Sequence, residues 1–217
     1  MSLFRLFLRA LPERIVAKQL KKPSGLLGLA FGRMMSKGNA GINELVLDGL
    51  DLTLRDHVLE VGFGHGALIE DIAKQVPNGQ IFGLDYSKTM VKQAISRNRR
   101  SIKQGRVRLV TGDISRLPYE DQTMTKIATV NTLYFWPDVT KGMSELARIA
   151  KPGARLVIGI RDKTEMDQIP FTKHEFTTIS VDDVKKLLTQ HGWINIRSEY
   201  SDVDMMGSYA VIGERPE

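Results

Sequence analysis

The hydrophobic pattern of the chain changes period near Asp56. Before that point apolar residues recur at helical spacing. Phe4, Phe7, Leu8, Leu11 and Ile15 share one face of a segment from residue 3 to residue 20, with Arg5, Arg9, Arg14 and Lys18 largely elsewhere. Pro12 interrupts that face, because proline inside a helix removes a backbone donor. Lys22-Pro23-Ser24-Gly25 signals a turn. A second helical stretch follows from Leu26 to Leu50, broken near Gly38. Residues 1–50 therefore read as a helical extension or cap, and residues 51–217 as the main domain.

Beyond Asp56 short apolar runs alternate with helical patterns. Val58 to Val61, Gln80 to Leu84, Val107 to Val110, Ile127 to Val130 and Arg155 to Ile160 read as buried strands. Between them lie helices over Ala67 to Gln75, from an N-cap at Ser87 toward Lys103, and over Val139 to Ala150, the last stopped by Lys151-Pro152-Gly153. This alternation predicts an α/β fold, a mostly parallel sheet with helices on both faces. The tail breaks the alternation. Ser180 caps a helix from Val181 to Gln190, with Asp183 placed as in a capping box, and Gly192 ends it. Trp193 to Tyr200 and Ser208 to Glu214 then read as two strands whose short connection suits an antiparallel hairpin. The sum is a seven-stranded sheet.

Candidate chemistry gathers at the ends of the first strands. Val58-Leu59-Glu60-Val61-Gly62-Phe63-Gly64-His65-Gly66 sets a glycine-rich turn between a strand and a helix, where open α/β sheets bind ligands. The glycines are spaced G-x-G-x-G. A dinucleotide fingerprint wants its third glycine one place later, at Ala67, so the glycines alone leave the ligand open. Two acids narrow the choice. Asp85 ends the second strand about 20 residues beyond the glycines, where a carboxylate can take both hydroxyls of a ribose. Gly112-Asp113-Ile114 follows the third strand, with Asp113 able to accept from an adenine amino group and Ile114 able to cover the ring. Each has a plainer reading as well, Asp85 as a helix N-terminal charge and Asp113 as a loop cap.

Taken together these segments resemble the class I S-adenosylmethionine-dependent methyltransferases with a Rossmann-like fold, in particular the branch acting on quinone precursors, sterols and other small or lipid-like molecules. The matching stretches are Val58 to Gly66, Leu84-Asp85-Tyr86-Ser87, Gly112-Asp113-Ile114 with Leu117-Pro118-Tyr119, and Glu145-Leu146-Ala147-Arg148 running into Lys151-Pro152-Gly153. Residues 1–50 and 161–179 carry no motif that transfers. The resemblance implies S-adenosylmethionine as cofactor. It implies that Gly62, Gly64 and Gly66 pass under the methionine part and ribose, and that Glu60 holds the methionine amino group. Asp85 would take the ribose, Tyr86 would lie beside the adenine, and Gly112, Asp113 and Ile114 would read the adenine edge. Asn131 would sit near the transferred methyl. Tyr134 is the candidate for positioning the acceptor, against a plainer reading in which Tyr134, Phe135 and Trp136 only wall the pocket. His65 reads as a solvent-facing turn residue. His174 and Glu175 lie in a segment that either covers the acceptor or forms a solvated loop.

Composition and charge refine this picture. The chain has no cysteine, which removes disulfides, thiolate metal sites and a covalent route to cytosine. Its four histidines show no metal-ligand spacing, so no metal is expected. No apolar run is long enough to span a bilayer, and the expected setting is the cytoplasm. The net charge of +6 is uneven, because residues 1–40 hold eight cations against Glu13 alone. That basic end points to an anionic partner. For a small-molecule or lipid enzyme it predicts a peripheral contact of residues 1–22 with an anionic membrane. The alternative is an RNA methyltransferase that uses the arm and the cluster Arg97-Asn98-Arg99-Arg100 with Lys103, Arg106 and Arg108. Against it, Asn131-Thr132-Leu133-Tyr134 lacks the two prolines of the N-P-P-Y pattern. A second alternative, an NAD-type nucleotide-binding protein, is disfavoured by the terminal hairpin and by Gly112-Asp113-Ile114.

Overall fold

A computed structural model describes residues 11–204 and 206–217. Its centre is one seven-stranded sheet of order β3-β2-β1-β4-β5-β7-β6. The strands are β1 (His57–Val61), β2 (Gln80–Asp85), β3 (Val107–Thr111), β4 (Met124–Val130), β5 (Ala150–Ile160), β6 (Ile194–Ser201) and β7 (Ser208–Glu214). The first five are parallel. β7 inserts between β5 and β6 and is antiparallel to both, with Ile158 opposite Val211 and Ser198 opposite Val211 on its other side. The two terminal strands pair as the short connection requires.

Apolar residues run continuously along the central strands because both faces are covered. Leu59 and Val61 face a cluster built with Met143, Leu146 and Ile149 of α7 (Val139–Ile149) and Val184 and Leu188 of α9 (Val181–Gln190). Val58, Ile81 and Ala128 face the opposite cluster. That side is covered by α3 (Ala40–Leu50), α4 (Ala67–Gln75) and α5 (Lys88–Arg97). Ile42, Val46 and Leu50 of α3 are fully buried there, so this helix belongs to the core of the sheet. α5 is shorter than the pattern suggested. It stops at Asn98, whose Nδ2 donates to Gly66 O at 3.0 Å and Ala94 O at 3.1 Å, and a separate turn, α6 (Arg99–Lys103), follows. β5 is longer at its start, since Ala150 already pairs with Met124 across an irregularity in register.

α1 (Glu13–Lys21) begins just after Pro12, which occupies its N-cap. Residues 3–10 of the expected amphipathic segment lie outside the described residues. The face that α1 buries is also displaced from the expected stripe. Val16, Ala17 and Gln19 are buried, while Ile15 is 41% exposed. Gln19 ties the helix to the next turn, its Oε1 accepting from Ser24 N–H at 3.0 Å just ahead of α2 (Gly25–Gly38). The segment after β5 is ordered by α8 (Lys163–Met166) and a 3-10 turn over Pro170–Lys173, and α1 packs on that turn. Among the described residues no helix is long and apolar enough to cross a membrane.

Candidate active site

The turn after β1 reverses tightly. Gly62 N–H donates to Leu84 O at 2.7 Å, and Gly62 and Gly64 stand at φ of 73° and 54°, values that suit glycine. The two differ in what surrounds them. A Cβ at Gly62 would lie 2.2 Å from Thr132 Cγ2, whereas one at Gly64 would meet nothing within 4 Å. Gly64 therefore borders open space, and Gly62 is locked against a side chain that cannot swing away. Thr132 Oγ1 is hydrogen-bonded to Thr129 Oγ1 and accepts from Trp136 Nε1 at 3.1 Å. Gly62→Ala should destabilise the fold by about 2–4 kcal/mol, from overpacking plus a left-handed backbone. Gly64→Ala should cost the fold far less and weaken ligand binding more. Chemical denaturation paired with a ligand titration checks both.

Asp85 braces this turn. Its Oδ2 accepts from Gly64 N–H and its Oδ1 from Ser87 N–H, both at 2.8 Å. Each oxygen keeps a further lone pair for a ligand hydroxyl. Burial raises the Asp85 carboxyl to about 6, and the two N–H donors oppose the rise. Glu60 lies deeper and is 3% exposed. Burial, and then the neighbouring Asp85 charge, raise it to about 8. Its Oε2 is buried without any hydrogen-bond partner. An unsatisfied buried carboxylate oxygen is costly and calls for a donor from outside the fold.

Both acids border one cavity of about 1190 Å³ at the carboxyl ends of the central strands. Gly62, Gly64, Tyr86, Gly112, Asp113, Ile114, Asn131 and Tyr134 border it as well. Gly66 does not. It forms the N-cap of α4 and faces α5, where a Cβ would come within 2.8 Å of Ala94 Cβ. Its expected place under the cofactor is replaced by a packing role. Asp113 is exposed, and its Oδ1 accepts from Ser115 N–H at 2.8 Å, which leaves its other oxygen for a ligand.

Three further expectations change. Tyr134 is 2% exposed. Its hydroxyl accepts from Arg161 N–H at 2.6 Å and donates to Arg161 O at 3.0 Å. The hydroxyl pins the chain leaving β5 and has no donor left for an acceptor, so the plainer reading, a wall, holds. His65 borders the cavity, with its Nε2 3.1 Å from Arg97 Nη1. Burial and the Arg97 charge lower it to about 4, so it is neutral and not a free solvent-facing residue. Tyr86 borders the cavity with its ring, but its hydroxyl donates to Lys21 O and ties α1 to the end of β2. Ser87 Oγ adds a bond to Pro23 O at 2.6 Å.

The sequence motifs missed the other side of the cavity. α1 and the segment after β5 close over it, joined by Lys21 to Glu175 at 2.7 Å and His174 to Glu13 at 3.6 Å. His174 and Glu175 thus belong to a cover. Asn39, Asn43 and Arg161 border the cavity from segments without a motif, together with Phe171 and Phe176. The only available signal was a cluster of aromatic residues between a strand and a helix, which does not reveal a direction. Of the basic cluster at and after the end of α5, two members are engaged within the fold, while Arg99, Arg100, Lys103 and Arg108 are exposed. Arg97 pairs with Glu70 at 3.2 Å, and Arg106 Nη1 donates to Ala73 O at 2.8 Å.

The donor set fits the expected cofactor. S-adenosylmethionine carries a sulfonium, an ammonium and one carboxylate at its methionine end, a net positive charge. Asp85 supplies negative charge, and the orphaned Glu60 oxygen supplies an acceptor for an ammonium, whose charge would favour the ionised Glu60. A pyrophosphate would bring further negative charge toward the ionised Asp85.

Comparison with known proteins agrees with this geometry. A family model described as a methyltransferase domain matches residues 59–158. The chain is 31% identical over 154 residues to an uncharacterized methyltransferase, YdaC, of Bacillus subtilis, covering 71% of this chain and 82% of that one. It is 33% identical over 109 residues to a demethylmenaquinone methyltransferase of Lactiplantibacillus plantarum, covering 50% of this chain and 46% of the relative. Among solved structures it superposes on a SAM-dependent methyltransferase from Aquifex aeolicus with a TM-score of 0.69 and 24% identity, over 85% of this chain and 97% of the other.

Proposed function

The chain belongs to the class I S-adenosylmethionine-dependent methyltransferases, and we propose that its acceptor is a small, largely apolar molecule bound beneath α1 and α2. The observation that carries this reading is the continuity of one cavity. Its acidic end at Glu60 and Asp85 runs without a partition into an end walled by Phe135, Phe171 and Phe176. A cavity of this volume exceeds what one cofactor needs, and its aromatic wall suits a small organic acceptor.

S-adenosylmethionine supplies a methyl group already activated by its sulfonium charge. The task left to the protein is alignment and exclusion of water. In this reading Asp85 accepts from the ribose hydroxyls and Glu60 from the amino group. Asp113 and Ile114 meet the adenine, and Asn131 stands near the methyl. The covering segments, held by the Lys21–Glu175 pair, keep water from the transfer. The name of the Lactiplantibacillus relative supports a quinone-like or lipid-like acceptor. The exposed Ile15 and Leu26 beside Arg14 and Lys18 suit a peripheral contact with an anionic surface.

The test is methyl transfer from labelled S-adenosylmethionine into a cell extract, partitioned between organic solvent and an RNA fraction. Label is expected in the solvent phase. Label confined to RNA, with salt-sensitive RNA binding, would establish the nucleic-acid alternative instead.

A further inference from the structure

Besides its two acids, the cavity has walls of two kinds. One is aromatic. Phe135 and Phe176 meet edge to face with centroids 4.5 Å apart, and Phe171 approaches Phe176 at 6.0 Å. Such a cluster presents ring faces and edges together, an arrangement that favours another ring over an aliphatic chain.

The other wall is a strip of carboxamides. Asn39 lies in the turn between α2 and α3, and Asn43 lies one helical turn further on; both border the cavity. Asn39 Oδ1 accepts from Asn131 Nδ2 at 3.2 Å, which orients the Asn39 amide and leaves its N–H groups for another partner. The Asn43 carboxamide makes no hydrogen bond to any described residue. Asn131 itself is fixed at the end of β4, at φ 54° and with its N–H donating to Gly159 O at 2.9 Å.

Charge narrows what this lobe can hold. Arg161 is paired with Asp204 at 3.3 Å and donates to Met206 O at 2.6 Å and Gly38 O at 3.1 Å. Lys21 is paired with Glu175 at 2.7 Å. Among the described residues no unpaired cation faces the lobe. A carboxamide offers a donor and an acceptor without a charge, so an anionic ligand there would lose its hydration without a counter-ion.

We propose that Asn39 and Asn43 select the acceptor as an uncharged aromatic molecule bearing a hydroxyl or carbonyl oxygen. The ring lies on the Phe135–Phe176 wall and the oxygen on the carboxamides, next to Asn131. The inference rests on the methyltransferase reading and adds to it the chemical class of the acceptor. Both asparagines lie ahead of the matched residues 59–158, Asn39 in the turn before α3 and Asn43 on α3.

The test uses naphthol as probe, with naphthalene and naphthoate as controls. Each is titrated calorimetrically into the full chain saturated with S-adenosylhomocysteine. Naphthol is expected to bind at least about ten-fold more tightly than either control, as expected for a buried hydrogen bond gained or a charge stranded. Asn43→Ala and Asn39→Ala should each weaken naphthol about five- to ten-fold, leave naphthalene unchanged, and shift S-adenosylhomocysteine affinity less than about two-fold. If Asn39→Ala melts early through loss of its Asn131 contact, Asn43→Ala decides alone, since its side chain holds nothing in the fold. Equal binding of the three probes, or unaltered naphthol binding in Asn43→Ala, overturns the assignment. Failure of S-adenosylhomocysteine to bind at all would overturn the methyltransferase reading instead, which keeps the two separable.

Discussion

Asp85→Ala is expected to abolish binding of S-adenosylmethionine while leaving a folded chain. The wild-type carboxylate does two things at once. It accepts from Gly64 N–H and Ser87 N–H, which shapes the floor of the cavity, and it keeps one lone pair per oxygen for a ribose diol. Hydrogen bonds to a charged acceptor are worth roughly 1.5–3 kcal/mol each, so losing two gives a loss of affinity on the order of a hundred-fold or more. The fold itself should tolerate the change, because the alanine also removes a buried acid that burial raises to about 6. Asp85→Asn separates the two duties. It retains an oxygen for one N–H and presents an amide to the other, so it should fall between wild type and alanine. Calorimetric titration and thermal melting of the three proteins read both quantities.

The second large effect concerns Glu60 and has a definite sign. The ordinary value of this carboxyl is 4.5, and in the ligand-free fold it is raised to about 8. Below about pH 4.5 the group is protonated in both folded and unfolded chains, and its contribution to stability is fully present. As pH rises toward about 8 the unfolded chain ionises and the folded one keeps its proton, so stability falls by up to roughly 1.4 kcal/mol per pH unit. Above the folded value the loss stops. Asp85 adds a fall of the same sign that ends near pH 6. The ligand-free wild-type protein should therefore unfold at lower denaturant at pH 8 than at pH 5. In Glu60→Gln the fall should end by about pH 6, with higher stability than wild type at about pH 8. An ammonium beside Glu60 favours its charged form, so cofactor binding should release a proton at about pH 7 in wild type and not in Glu60→Gln. Titration in buffers of different ionisation enthalpy detects that proton.

The fold was legible wherever the information is local. The central strands are buried on both faces, which leaves uninterrupted apolar runs, and Ser87 and Ser180 cap their helices as the pattern predicted. Several residues that border the cavity were legible for the same reason, since Glu60, Gly62, Gly64 and Asp85 lie within a few residues of strand ends. What depends on distant packing was not. Nothing near Tyr134 in the chain announces that its hydroxyl is consumed by the backbone of Arg161, 27 residues away. Asn39 sits just before α3 and Asn43 on it, where the pattern speaks only of burial, and the docking of α3 on β5 and β7 brings them to the cavity. Gly66 failed in the opposite direction. It belongs to the motif, yet the space it keeps clear is filled by Ala94 and Asn98 and not by a ligand.

The central claim is that the acidic cavity receives a cationic adenosyl sulfonium, and competition between cofactors tests it most directly. Wild-type protein is titrated calorimetrically with S-adenosylmethionine and with NAD at matched ionic strength near pH 7.5. One saturable site for S-adenosylmethionine is expected, with no measurable heat from NAD, whose pyrophosphate would face the ionised Asp85 and would bring no ammonium to Glu60. Tighter binding of NAD, or no binding of S-adenosylmethionine by folded protein, would contradict it.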